Sequence, residues 1–116
     1  MYVYDRANQL AADIRESEEF RAYKALKDEL YADAGTKSML RQYKQAQFEA
    51  QAMLMSSQQP SEEQMDKLKK LGEVLAFNPK VTEFFAAEYK FNTIVSDIYK
   101  IIGDACELET GLFDQE

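Results

Sequence analysis

Carboxylates, one thiol and a few clustered lysines are the side chains in this sequence able to carry chemistry. There is no histidine, which removes the commonest general base and the commonest metal ligand. A Ser-His or Cys-His nucleophile is therefore excluded. A single cysteine without histidine cannot assemble a tetrahedral zinc set. Gly-rich phosphate loops and dinucleotide fingerprints are missing too. Glu88 is the carboxylate that stands out. It falls on the apolar seam of a long C-terminal helix, as a candidate buried acid or ligand, as a carboxylate paired across a helix interface, or as one turned to solvent by helix drift. Cys106 lies among Asp104, Glu107 and Glu109, a setting opposite to the electropositive one that activates a thiol. Lys67, Lys69 and Lys70, with Arg41 and Lys44, form a candidate basic spot for RNA or an acidic protein, or an ordinary solvated face. Phe84, Phe85, Tyr89, Phe91 and Tyr99 recur at helical spacing, which fits a core or subunit interface better than a ligand pocket. No catalytic, cofactor-binding or metal-ligating residue is assigned, and no cofactor is expected. The inventory reads as that of a non-enzyme.

The elements that hold these residues are helices. The first covers Tyr2 to Arg15, with Val3, Ala7, Leu10, Ala11 and Ile14 on one face. Ser17 caps a second, whose face is Phe20, Tyr23, Leu26 and Leu30. Asp33 or Thr36 caps a third that runs to about Ser57. Its seam is Met39, Leu40, Tyr43, Ala46, Ala50, Met53 and Leu54, with Phe48 and Met55 off the centre and glutamines on the other faces. Ser61 and Gln64 make a capping box after the Ser-Gln-Pro hinge, and the fourth helix ends near Phe77. The two should form an antiparallel hairpin. Asn78 and Pro79 start a fifth helix that is uninterrupted to Gly103. More than half of its circumference is apolar, and Phe84, Phe85, Phe91, Val95, Ile98, Tyr99 and Ile102 are its candidate interface residues. The expected fold class is all-α: about five long antiparallel helices in a hairpin or bundle, completed by oligomerisation. Residues 1–106 read as a single helical domain and 107–116 as an acidic, flexible tail in which Leu108, Leu112 and Phe113 let part of it dock.

Bulk properties narrow the function classes. A net charge of -7 disfavours phosphate backbones and anionic membranes. One cysteine allows no internal disulfide, in keeping with a reducing compartment. No apolar run is long enough to span a bilayer, and the first residues lack a signal-peptide layout. A soluble, cytoplasmic protein without direct nucleic-acid binding is expected.

The chain resembles the YlbF/YmcA/YheA family of small helical bacterial proteins. The stretches that carry the resemblance are Ala11 to Phe20, the Met39 to Gln51 helix, the Asn78-Pro79 break, and Ala87-Glu88 through Phe91-Asn92 to Gly103. The resemblance implies a non-enzymatic regulatory adaptor that associates with other chains. It is implied to be a homodimer or higher homo-oligomer, or to join YlbF/YmcA-type and YaaT-type proteins in a complex. Such complexes are linked to competence, sporulation, biofilm formation and ribonuclease Y-dependent messenger RNA processing, and are associated with iron-sulfur clusters. Cys106 stands alone here, which puts a cluster bound by this chain alone in doubt. The alternative function is a small-molecule- or metal-binding helical bundle that uses Glu88 and the aromatics.

Overall fold

Local capping chemistry sets the boundaries of five helices. The structure, a computed structural model, describes residues 2–108. The tail positions expected to dock, Leu112 and Phe113, and all of 109–116 lie outside the described residues. Helix α1 spans Tyr2–Glu16, α2 Glu18–Tyr31, α3 Ala34–Met55, α4 Glu62–Ala76 and α5 Pro79–Ala105. No strand occurs among the described residues. No helix there is long and apolar enough to cross a membrane.

Ser17 separates α1 from α2. Its hydroxyl donates to the Ile14 carbonyl at 2.6 Å and accepts from the Phe20 backbone N–H at 3.2 Å. One side chain thus serves an orphan carbonyl of the first helix and an orphan N–H of the second. Asp33 caps α3: its carboxylate accepts from the Thr36 backbone N–H at 2.9 Å and from the Thr36 hydroxyl at 2.7 Å. Those two bonds hold the Asp33 carboxyl below its ordinary value, the hydroxyl bond first. Ser61 and Gln64 close the expected capping box at α4, with bonds of 3.0 and 2.8 Å. At α5 the Asn78 side-chain oxygen accepts from the Lys80 backbone N–H at 3.0 Å.

The C-termini depart from expectation at one point. Gly103 does not end α5; it is buried inside the helix, which continues to Ala105. The chain turns at Glu107 instead, with φ of 55°, and the Leu108 N–H reaches back to the Gly103 carbonyl at 3.0 Å. The end of α3 has the same form. Ser57 has φ of 61°, and the Gln58 N–H donates to the Met53 carbonyl at 2.8 Å. This is the Schellman closure, usually built with glycine.

Two compact units divide the chain. One comprises Ala25–Phe84, and the other Met1–Lys24 with Phe85–Glu116. The first holds the α3–α4 hairpin, and α3 packs along α4. Its core is Leu30, Leu40, Ala50, Leu75, Val81 and Phe84, each side chain contributing in proportion to the apolar area it removes from water. Gly72 lies within α4 rather than at a break. A Cβ there would stand 3.3 Å from the Tyr43 ring, so the missing side chain lets that ring lie close against the helix. In the second unit, Phe20 and Tyr23 of α2 gather on Phe91 of α5. The Phe20–Phe91 centroids are 5.3 Å apart, and Tyr23 stacks on Phe91 at 5.2 Å with 18° between the planes.

Candidate functional site

All six buried apolar side chains among the described residues belong to the Ala25–Phe84 unit. The other unit has none, although it contains most of the apolar α5. Helix α1 buries nothing at all. Its face of Val3, Ala7, Leu10 and Ala11 is exposed, with Ile14 half-buried. The regular spacing of that face has no use in water, because an amphipathic stripe stabilises a helix only when something covers it.

The candidate residues of α5 divide along the helix. Phe84 is fully buried within its own chain, with its ring 6.4 Å from Tyr31 and the Lys44 ammonium 5.4 Å from its centroid. It is a core residue, and this corrects its assignment to an interface between chains. The physical reason is that Val81 and Phe84 lie where the first turns of α5 enter the core of the Ala25–Phe84 unit. Phe85, Phe91, Val95 and Ile98 are half-buried. Tyr99 and Ile102 are exposed, at 47% and 45%. Ile101 is more exposed still at 67%. On α5 the open apolar residues thus include Tyr99, Ile101 and Ile102 of the C-terminal turns, and α1 leaves its own stripe exposed. The signal for α1 was present in its spacing, but spacing does not say whether a face is covered.

Glu88 is half-buried, and no polar or charged side chain is buried among the described residues. Within the single chain Glu88 is therefore only partly enclosed. The aromatic rings fill space against one another: Phe91 against Phe20 and Tyr23, and Phe84 against Tyr31. Open grooves lie instead on the α3–α4 hairpin. One of about 150 Å³ is lined by Gln42, Gln45, Ala46, Glu49, Gln64 and Lys67. A wider one of about 680 Å³ brings Lys67 and Lys70 beside Glu49, Glu63 and Asp66. Lys70 pairs with Asp66 at 3.0 Å, and Lys44 is drawn to the Phe84 ring. Part of the candidate basic spot is thus met by acidic and aromatic neighbours.

Among the described residues, no group of three or more His, Cys, Asp or Glu is placed to hold a metal ion. Cys106 is exposed. An iron-sulfur cluster takes about four thiolate ligands. This chain supplies one, so its own residues do not fit a cluster.

Comparison with known proteins gives a consistent family. The family model described as "Control of competence regulator ComK, YlbF/YmcA" matches residues 3–107. A UPF0342 protein of Halothermothrix orenii is 34% identical over 116 residues, covering 100% of this chain and 97% of the relative. Among solved structures, a protein of unknown function (DUF964) from Bacillus stearothermophilus superposes with a TM-score of 0.70 at 19% identity, covering 92% of this chain and 94% of that one. Bacillus subtilis RicA, solved in complex with RicF, superposes with a TM-score of 0.58 at 22% identity, covering 91% and 94%. At these identities the two structures show the shared all-helical fold.

Proposed function

Because the chain belongs to the YlbF/YmcA family, we propose that it is a regulatory adaptor that acts without catalysis, by docking helices of other chains on the uncovered apolar faces of α1 and α5. The observation that carries this reading is the open apolar surface of the unit that holds α1 and most of α5, which buries no apolar side chain among the described residues and leaves Val3, Tyr99, Ile101 and Ile102 exposed. Apolar surface of that kind marks protein interaction sites, and its removal from water yields roughly 25 cal/mol per Å². The complex of RicA with RicF supports association as the working mode of this fold.

In this reading the partners are a second copy or related YlbF/YmcA-type and YaaT-type chains. The processes served are competence, sporulation, biofilm formation and ribonuclease Y-dependent messenger RNA processing. Contact with RNA, where it occurs, runs through the partners, since the chain itself is acidic.

The double variant Ile101→Glu/Ile102→Glu tests the proposal. Both side chains are exposed, so the fold should persist with unchanged helix content. Recovery of partners from the native bacterium with the tagged variant should fall by about tenfold or more. Full recovery of the same partners by the variant would exclude α5 as the docking surface.

A further inference from the structure

The slot of about 150 Å³ on the α3–α4 hairpin has two walls of opposite hydrogen-bonding character. On the α3 wall, the Gln42 amide nitrogen donates to the Ser38 hydroxyl at 3.1 Å. The Gln45 amide nitrogen donates to one carboxylate oxygen of Glu49 at 3.3 Å. The carbonyl oxygens of both amides and the second oxygen of Glu49 are left unengaged among the described residues. This wall therefore offers acceptors. On the α4 wall, the Gln64 carbonyl oxygen is occupied by the capping box, where it accepts from the Ser61 backbone N–H at 2.8 Å. Its amide N–H groups remain. Beside them stands the Lys67 ammonium, a donor only, which has no ion pair among the described residues. The second wall therefore offers donors. Glu49 and Lys67 line one slot with opposite charges and do not close on each other.

We propose that this slot binds the head group of a free α-amino acid with an aliphatic side chain. An α-ammonium only donates and an α-carboxylate only accepts, so the first meets Glu49 and the α3 carbonyls, and the second meets Lys67 and the Gln64 amide. The two groups share one carbon, which matches two walls facing each other across a narrow slot. Charge selects against the simpler ligands. A phosphate would face Glu49 and, in the wider groove, Glu63. A lone cation would face Lys67. A zwitterion satisfies both walls and adds no net charge. The slot is smaller than the roughly 300–1,000 Å³ of a drug-sized site, which suits a head group of few atoms.

The groove of about 680 Å³ continues from the slot, since Gln42, Glu49, Gln64 and Lys67 line both. What it adds for a side chain is Leu71, half-buried, and Val74, 51% exposed. Lys70 and Asp66 in the same groove are paired with each other at 3.0 Å. An aliphatic side chain laid on Leu71 and Val74 removes apolar surface from water without stripping an unpaired charge.

The site uses no residue of α1 or α5, and the inference does not rest on partner docking there. Titration of the nitrogen-15-labelled chain with free leucine tests it. The side-chain amide resonances of Gln45 and Gln64 should shift saturably, with a dissociation constant of about 1 mM, in keeping with the modest energy a small ligand gains. Leucinamide, which lacks the carboxylate, and N-acetyl-leucine, which lacks the ammonium, should each bind about fivefold or more weakly. Glu49→Gln and Lys67→Met should each weaken leucine binding by about fivefold or more, at unchanged helix content because both positions are exposed. Lys67→Met should leave leucinamide binding unchanged, since the group that Lys67 serves is already missing. Glycine should bind more weakly than leucine, and Val74→Ser should narrow that difference. The inference is overturned by the lack of saturable shifts up to about 50 mM leucine, by equal binding of leucine, leucinamide and N-acetyl-leucine, or by leucine binding that survives both charge variants.

Discussion

Truncating Phe84 should separate the core of one chain from the surfaces on which chains meet. The ring is fully buried, and Phe→Ala at such a site costs about 3–5 kcal/mol in lost transfer energy and cavity formation. The Tyr31 ring at 6.4 Å and the Lys44 ammonium at 5.4 Å lose their aromatic partner as well, which places Phe84→Ala toward the upper part of that range. A domain of this size has about 5–15 kcal/mol of total stability. The melting temperature should therefore fall by about 15 °C or more, at roughly 4 °C per kcal/mol. Urea unfolding followed by circular dichroism, at two protein concentrations, measures the effect. Since Phe84 packs within its own chain, the difference from the parent should be the same at both concentrations. Phe91, less fully buried, offers a contrast, and Phe91→Ala should cost less than Phe84→Ala. The assignment of Phe84 to the core is refuted by a loss below about 1.5 kcal/mol, the range of volume-conserving changes, or by a loss confined to the concentrations at which the protein assembles.

Three smaller perturbations address the helix ends. Ser57→Gly should stabilise the chain by about 1 kcal/mol, because the left-handed conformation at φ of 61° is strained for any residue with a Cβ; an unchanged urea midpoint would deny that strain. Ser61→Ala should cost about 1 kcal/mol by opening the α4 capping box, and a loss under about 0.3 kcal/mol would show the box to be dispensable. Asp33→Ala should destabilise α3 only in part of the pH range. The folded carboxyl titrates below its ordinary value of 3.8, so its contribution is fully present above that value and is lost as pH falls through the folded value. The stability difference between parent and variant should therefore shrink on acidification, and a difference that grew instead would contradict the cap.

The residues that specify local geometry were legible because their partners are near in sequence. Ser17, Asp33, Ser61 with Gln64, and Asn78 each bond within three residues of themselves, and all five helices follow from them and from the apolar spacing. What spacing does not carry is the identity of the neighbour. Val81, Phe84, Phe91 and Ile98 form one regular seam in the sequence. Val81 and Phe84 are enclosed with Leu40 and Leu75, Phe91 is met by two rings from α2, and Ile102 faces water. Periodicity assigns a face to each of them and says nothing about which layer lies over it. Phe48 and Met55 show the converse: they fall off the inner seam of α3, and only their exposure shows that the chain leaves them open. Gly103 was misread for a local reason. Glycine is permissive in a helix as well as at its end, and the left-handed turn was taken by Glu107.

The division into two units also bears on the order in which the chain is made and folded. The Ala25–Phe84 unit is continuous in sequence, and the hairpin within it closes through neighbouring residues. The contacts of Phe20 and Tyr23 with Phe91 must instead close a loop of about 70 residues, an entropic cost that local pairing avoids. During synthesis α1 emerges first, while the residues that complete its unit emerge last. The continuous unit can form as soon as Phe84 is free, whereas Phe20 and Tyr23 must wait for Phe91.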